Sequence, residues 1–397
     1  MTLLEVIKAA LATHEPRGLQ SDYPFILNPD DVFPELKLKH ENSDCTALAR
    51  PITGWQLQQT DSQLIDSAKK FHKKLRRKLK DTNSFDGNEF IQLLNQFLAK
   101  NSESLGISIG VNSSDNGYPL VLLEKVGFLM GQDVSGLVLE ACISFEIWDF
   151  VETLIVNGLI EKSYYSNLIT SLAAKKRSDL LCLCIRHAPD LGSSELLCIL
   201  KYFLSSSKDA YGNMTCAKTE WESQALLAIE RVNDRNLSGK KLHMAKDASI
   251  LLMIAHDDFL VPELCLHYVL ASSNVDELIL SSSVSKLNGQ EMMNLIRYLG
   301  KWLKKYERFP QAMPCPKASS LLGLKACDWV PKMEDVVRCL CLVLDENFSS
   351  LVLLPEFHEE LKSMERVVHS LALEAKVSCS LGNVIDSLRF EAKGEQN

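Results

Sequence analysis

Apolar residues along this chain recur at intervals of three and four almost from end to end, the spacing of one face of an α-helix. From about Asp61 the stripe Leu64, Ala68, Phe71, Leu75 and Leu79 predicts one helix, and Phe90, Leu93, Leu94, Phe97 and Leu98 predict the next. Between Pro119 and about Arg308 the pattern predicts successive helices at 134–146, 147–158, 164–174, 178–187, 193–206, 219–232, 240–256, 262–272 and 289–307. Short breaks separate them, among them Asn157-Gly158, Pro189, Gly192-Ser193-Ser194, Gly212-Asn213 and Asn288-Gly289. Stretches such as Leu196–Leu204 and Ile250–Ala255 are apolar on more than one side. Helices buried on two faces belong to stacked arrays, in which each pair packs on both neighbours. No repeat of fixed length is visible, so the expected fold is all-α: an irregular α-solenoid of stacked helical hairpins.

The flanking segments read differently. Residues 1–60 form an irregular N-terminal segment with a short amphipathic helix at 3–12 and five prolines between Pro16 and Pro51. Residues 61–100 hold the first two helices. They are joined by the turn Asp81–Gly87, in which Asp86 is placed to cap the second helix. Residues 101–118, rich in Ser, Gly and Asn, are expected to be a flexible linker. The helical solenoid spans 119–308 and a Pro-containing loop 309–332. A C-terminal helical unit at 333–392 comprises segments 333–346, 355–378 and 380–392, and Lys393–Asn397 is expected to fray.

Composition supports this reading and narrows the function. Only 18 glycines and 13 prolines occur in 397 residues, below average usage, which favours long helices over many-stranded sheets. Hydrophobic (46%) and charged (24%) contents are those of a folded globular chain. The twelve cysteines sit within apolar runs such as Leu180–Ile185 and Arg338–Leu344, as buried reduced thiols of a cytosolic or nuclear protein do. Met1–Ala12 carries Glu5 and Lys8 within its apolar stretch, so no signal peptide is expected. No run of 18 apolar residues exists, so no membrane span is expected. The N-x-[ST] matches at Asn112, Asn213, Asn236 and Asn347 are read as chance.

Charge changes the picture most. Residues 69–80 read KKFHKKLRRKLK: Lys69, Lys70, Lys73, Lys74, Arg76, Arg77, Lys78 and Lys80, with no Asp or Glu among them. The whole chain is at −8, so without this stretch it stands at −16. Such density attracts phosphate backbones, anionic surfaces or import receptors. The plainer reading is a solvated helix face, but unopposed cations repel at i,i+4, and a purely structural face mixes signs. With only Phe71 and His72 nearby, backbone contact with RNA, or contact with an acidic partner, is expected rather than base stacking.

Candidate chemistry is sparse. There is no C-x2-C. The pairs Cys182/Cys184 and Cys339/Cys341 lie at i,i+2 in apolar helices, and Cys315 and Cys327 have no nearby histidine, so neither metal nor cofactor is expected. No G-x-S-x-G, Walker loop, G-x-G-x-x-G or H-E-x-x-H occurs. His243, His256 and His267, with Asp257-Asp258 after His256, are read as helix-end polar groups. The cluster Trp302, Lys304, Lys305, Tyr306 and Arg308 is read as a helix C-terminus complementing its dipole. The chain is therefore expected to be no enzyme.

Leu295–Tyr306 (LIRYLGKWLKKY), followed after a Pro-containing loop by Val330–Leu354 (VPKMEDVVRCLCLVLDENFSSLVLL), resembles the C-terminal helical region of the nucleolar protein eleven family, part of the t-UTP group of the small-subunit processome. The segment Lys69–Phe97, which holds KKFHKKL and NSFD, also resembles the start of that region, so the likeness covers about residues 60–380 in order of elements. It implies a non-enzymatic scaffold in the nucleus and nucleolus, active in ribosomal RNA transcription and small-subunit precursor processing. Its partners would be other processome proteins in a hetero-oligomeric complex, and pre-ribosomal RNA, with no membrane. Family members carry an N-terminal β-propeller, of which the first 60 residues show no strand pattern, so a partial or divergent form is expected. Trp302, Leu303, Leu344, Asp345 and Phe348 match the family pattern and are expected to be packing residues. Two rivals remain: a cytoplasmic α-solenoid adaptor in trafficking or ubiquitin ligation, and a helical enzyme with a pocket near His243 and His256.

Overall fold

The structure, a computed structural model, describes residues 25–27, 49–51, 59–80, 85–111, 115, 117–205, 214–234, 237–312 and 314–394. The chain divides into two compact units, 1–69 and 70–397. In the first, β1 (Phe25–Leu27) pairs antiparallel with β2 (Ala49–Pro51), Ile26 opposite Arg50. This short ladder lies in the segment read as irregular; a three-residue run is too brief to show an alternating pattern. The helix expected at 3–12 lies outside the described residues.

Helix α1 (Gln59–Lys80) crosses the boundary between the units. The second unit continues with α2 (Gly87–Leu105), α3 (Tyr118–Val126), α4 (Gln132–Ser144), α5 (Trp148–Val156), α6 (Lys162–Ala174), α7 (Ser178–His187) and α8 (Ser193–Leu204). There follow α9 (Thr215–Asn233), α10 (Lys240–His256), α11 (Val261–Ala271), α12 (Glu277–Val284) and α13 (Gly289–Arg308). The last are α14 (Ala318–Leu322), α15 (Met333–Glu346), α16 (Phe348–Leu353) and α17 (His358–Gly394). The fold is all-α, a stack of helical hairpins as the periodicity predicts.

The stack has two rows. Helices α3, α5, α7 and α11 pack side by side in one, and α6, α8, α12 and α15 in the other. The rows meet where α6 packs on α7 and α8 on α11. The hairpin α9–α10 packs on α11, and α13 lies between α15 and α17. Helices apolar on two sides fill the interior: Leu196, Ile199, Leu200 and Phe203 of α8 are all buried.

One turn geometry recurs although no sequence repeat does. At the ends of α4, α5 and α6 a residue adopts positive φ (Glu146, 56°; Gly158, 63°; Lys176, 57°). The amide after it bonds back across the turn: Ile147 to the Cys142 carbonyl, Leu159 to Leu154 and Arg177 to Leu172. These are Schellman closures, which satisfy carbonyls otherwise orphaned at a helix end. Lys175 pairs with Glu146, tying the first such turn to the third. Only Gly158 carries the residue type that announces the turn, which hides the repeat from a reading of sequence.

Several boundaries differ from expectation. Asn101–Leu105, placed in the linker, is the last turn of α2; Asn101 and Ser102 are buried, and the chain leaves the helix at Gly106 in the left-handed region (φ 66°). Loop 309–332 contains α14 and a 3-10 turn at Lys325–Trp329. The two segments expected at 355–378 and 380–392 are one continuous helix, α17, since Gly382 weakens a helix without breaking it. Helices α12 and α16 are short elements that the pattern did not separate.

Candidate polyanion-binding face

Helix α1 forms because its sequence supports it at both levels. Asp61 lies in its first turn and Arg77, Lys78 and Lys80 in its last, matching the dipole. In the second unit, Leu75 is fully buried and Phe71 stacks on Phe97 of α2, ring centroids 4.2 Å apart and planes 16° from parallel. The next helix starts where expected: the Asp86 carboxylate accepts from the Glu89 amide at 2.7 Å. That cap fixes α2 and with it the platform under Phe71 and Leu75.

Packing of Phe71 and Leu75 turns the basic residues outward. Lys69, Lys70, Lys73, Lys74, Arg76, Arg77 and Lys80 are all exposed. At about 100° per residue, six of them (all but Lys74) fall within roughly 120° of arc, along roughly 16 Å of helix. None of the seven has an ion pair or hydrogen bond with another described residue.

Lys78 is the exception among the eight. Its Nζ lies 3.1 Å from Glu89 Oε2 and 4.7 Å over the Phe85 ring. It ties α1 to the start of α2 and belongs to the scaffold rather than to the free face. The sequence grouped Lys78 with the others; Glu89 and Phe85, at no regular spacing from it, gave no signal of this tie.

Helix α1 carries five like-charge pairs at i,i+4: 69/73, 70/74, 73/77, 74/78 and 76/80, four of them among the seven exposed cations. Each costs about 0.2–0.5 kcal/mol in an isolated helix. Apart from Glu89 beside Lys78, no carboxylate among the described residues pairs with these cations, and the face is electrostatically open to an external polyanion.

The other candidate sites are less developed. Among the described residues no group of three or more His, Cys, Asp or Glu is placed to hold a metal ion. Cys182, Cys184 and Cys339 are buried and Cys341 is exposed, and all four are free thiols. Burial pushes the Cys339 thiol up to about 12. His243 pairs with Asp247 at 2.9 Å on the rim of an open cleft of about 580 Å³ between the start of α10 and Pro314–Lys317. Beyond His256, Asp257 faces Lys305 Nζ at 3.6 Å, and the Asp258 carbonyl accepts from Lys301 at 3.0 Å.

His267 corrects the sequence reading. It is not a helix-end group but a fully buried one in the middle of α11, set among Trp221, Phe259, Tyr298 and Trp302. Burial drives its pKa down to about 3. Trp302 and Tyr306 likewise belong to the core, whereas Lys304 and Arg308 line an open groove of about 810 Å³ shared with Asp257, Asp258 and Glu360. Of the residues matching the family pattern, Trp302 and Leu303 are buried, but Asp345 and Phe348 are exposed. Helix α15 ends just before Phe348, which starts α16 facing outward.

No helix among the described residues is long and apolar enough to cross a membrane. The fold and this face together define an all-α, stacked-hairpin protein bearing one polybasic helix. No protein-family model matches the chain, and no curated protein matches it.

Proposed function

We propose that this protein is a non-enzymatic scaffold of a ribonucleoprotein assembly that holds RNA by its phosphate backbone through the outer face of α1. The observation that carries this reading is the set of seven exposed cations with no ion-pair or hydrogen-bond partner among the described residues, turned outward by the packing of Phe71 and Leu75. Backbone contact gives affinity without sequence readout. The face offers no exposed aromatic for bases to stack on: Phe71 is committed to Phe97. The stacked hairpins supply the surfaces on which protein subunits assemble. On the resemblance of Leu295–Tyr306 and Val330–Leu354, the assembly is the nucleolar small-subunit processome, and the RNA is pre-ribosomal.

The test is affinity purification of the tagged chain from cells, with mass spectrometry and RNA sequencing of the eluate. Processome proteins and small-subunit ribosomal RNA precursor are the expected yield. Replacing Lys73, Lys74, Arg76 and Arg77 with Glu removes the RNA and leaves the fold intact. Recovery of coat, vesicle or ligase components without ribosomal precursors refutes the reading.

A further inference from the structure

The second half of α17 stands apart from the body. Met364, Val367 and Leu371 are buried, and Met364 lies against Gly300 of α13. From Ala372 to Arg389 the residues are exposed, apart from half-buried Gly382. This stretch is not polar. Leu373, Val377, Leu381, Val384, Ile385 and Leu388 are each between 48% and 58% exposed. The stripe through Leu373, Val377, Leu381, Val384 and Leu388 points roughly 110° round the helix from the face that α17 buries upstream. A helix unsupported by tertiary packing is marginal in water, and an aliphatic stripe is what a partner would cover.

The pattern identifies the partner. Val377, Leu381, Val384 and Leu388 occupy successive d, a, d and a positions of a heptad. In an antiparallel pairing of two copies about a twofold axis, Val377 faces Leu388 of the second copy and Leu381 faces its Val384. The axis generates the other two layers. All four layers then hold one Leu and one Val, equal in volume. A parallel pair would instead stack Leu on Leu at a and Val on Val at d, the reverse of the β-branched-a, Leu-d arrangement that parallel dimers favour.

The flanks agree. The e and g positions along this seam are Ser378, Ser380, Ile385 and Ser387, small or apolar, so within these four layers no like charges oppose one another. Lys376, Asp386 and Arg389 fall on the outer side, where Arg389 and Asp386 pair at 3.6 Å within the helix.

We infer that the free end of α17 is a homodimerisation element that pairs antiparallel with α17 of a second copy of this chain. The seam spans about two heptads, short of the three to four that mark a free-standing coiled coil, so the dimer is weak and concentration-dependent. This does not rest on the RNA-binding reading and involves no residue of α1.

Sedimentation equilibrium of the full chain over a concentration series tests it. The expected result is a mass rising from one chain to two. Leu381→Glu is expected to hold the protein at one chain with an unchanged circular dichroism spectrum, since the Leu381 side chain is exposed. Adding Val384→Lys restores association, because the glutamate introduced in each copy then meets the lysine introduced in the other. In a parallel pair glutamate would meet glutamate, and the double variant would remain a single chain. A wild-type chain that stays monomeric at every concentration overturns the inference, as does a dimer unmoved by Leu381→Glu or a double variant that fails to associate.

Discussion

The Tyr298 hydroxyl lies 2.8 Å from Nδ1 of His267, and this contact fixes the protonation of a fully buried histidine. The opposite ring nitrogen, Nε2, lies 2.9 Å from the Ala255 carbonyl, which can only accept. Nε2 therefore carries the proton, and Nδ1 accepts from Tyr298. Tyr298 in turn accepts from the Trp302 indole N–H at 3.2 Å. The relay from Trp302 through Tyr298 and His267 to Ala255 joins α13, α11 and α10, and every polar atom along it has a partner. A core this aromatic tolerates the group because the network is complete.

Removing the middle of the relay tests that account. Tyr298→Phe keeps the ring and its packing but leaves the Trp302 N–H and His267 Nδ1 buried without partners. The expected cost is roughly 2–6 kcal/mol, about 1–3 for each of the two orphaned buried groups. Urea denaturation checks it: the midpoint should fall while the slope against denaturant stays unchanged, since the surface exposed on unfolding is the same.

The same histidine gives the protein a pH dependence with a definite sign. Burial lowers the folded-state pKa of His267 from 6.5 to about 3, with the Lys305 charge acting in the same direction and the Ala255 hydrogen bond opposing. The unfolded chain takes up a proton near pH 6.5 that the folded chain refuses. This part of the stability is present above that pH and drains away as the pH falls toward 3, by up to roughly 1.4 kcal/mol per pH unit. His267→Leu is expected to be less stable than wild type near neutral pH but to lack this slope. Thermal denaturation of both proteins between about pH 7 and about pH 4.5 measures the difference.

The periodic apolar positions made most of the fold legible. Helices α7, α10 and α15 fall at the very residues that their stripes predict, and Asp86 caps α2 as its position after the turn implies. The basic face was legible because charge clustering is a local property of the sequence. What sequence hid was long-range or conformational. Glu89, the ion-pair partner of Lys78, and the hydrogen-bond partners of His267 lie on other helices, and the left-handed residues Glu146 and Lys176 are types that give no sign of positive φ.

Lys176 offers a way to stabilise the protein. Its φ of 57° costs a non-glycine residue roughly 1 kcal/mol, and its exposed side chain makes no ion pair among the described residues. Lys176→Gly relieves the strain, offset in part by the greater freedom of glycine in the unfolded chain. The expected outcome is a gain of up to about 1 kcal/mol, read as a raised melting temperature. The same change at Glu146 gains less, because Glu146 is the partner of Lys175.

On the proposed function, the salt dependence of RNA binding should separate the seven exposed cations of α1 from Lys78, which the fold uses. Each phosphate neutralised on a single strand contributes about 0.7 to the slope of log affinity against log salt. If all seven exposed cations engage, the slope approaches about −5, and each substitution of Lys73, Lys74, Arg76 or Arg77 by Ala makes it shallower by about 0.7. These variants should weaken binding to unrelated RNA sequences by similar factors, since phosphate contacts carry no sequence information. Lys78→Met should behave differently. It loses a partly exposed ion pair with Glu89 and the contact with Phe85, so it lowers the melting temperature slightly, by the equivalent of about 0.2–1 kcal/mol, while the salt slope stays near the wild-type value. Filter binding across a salt series, run beside thermal melts of the same variants, makes the comparison. A Lys78 variant that shifts the slope as much as Lys73→Ala would place Lys78 on the RNA and refute its assignment to the scaffold.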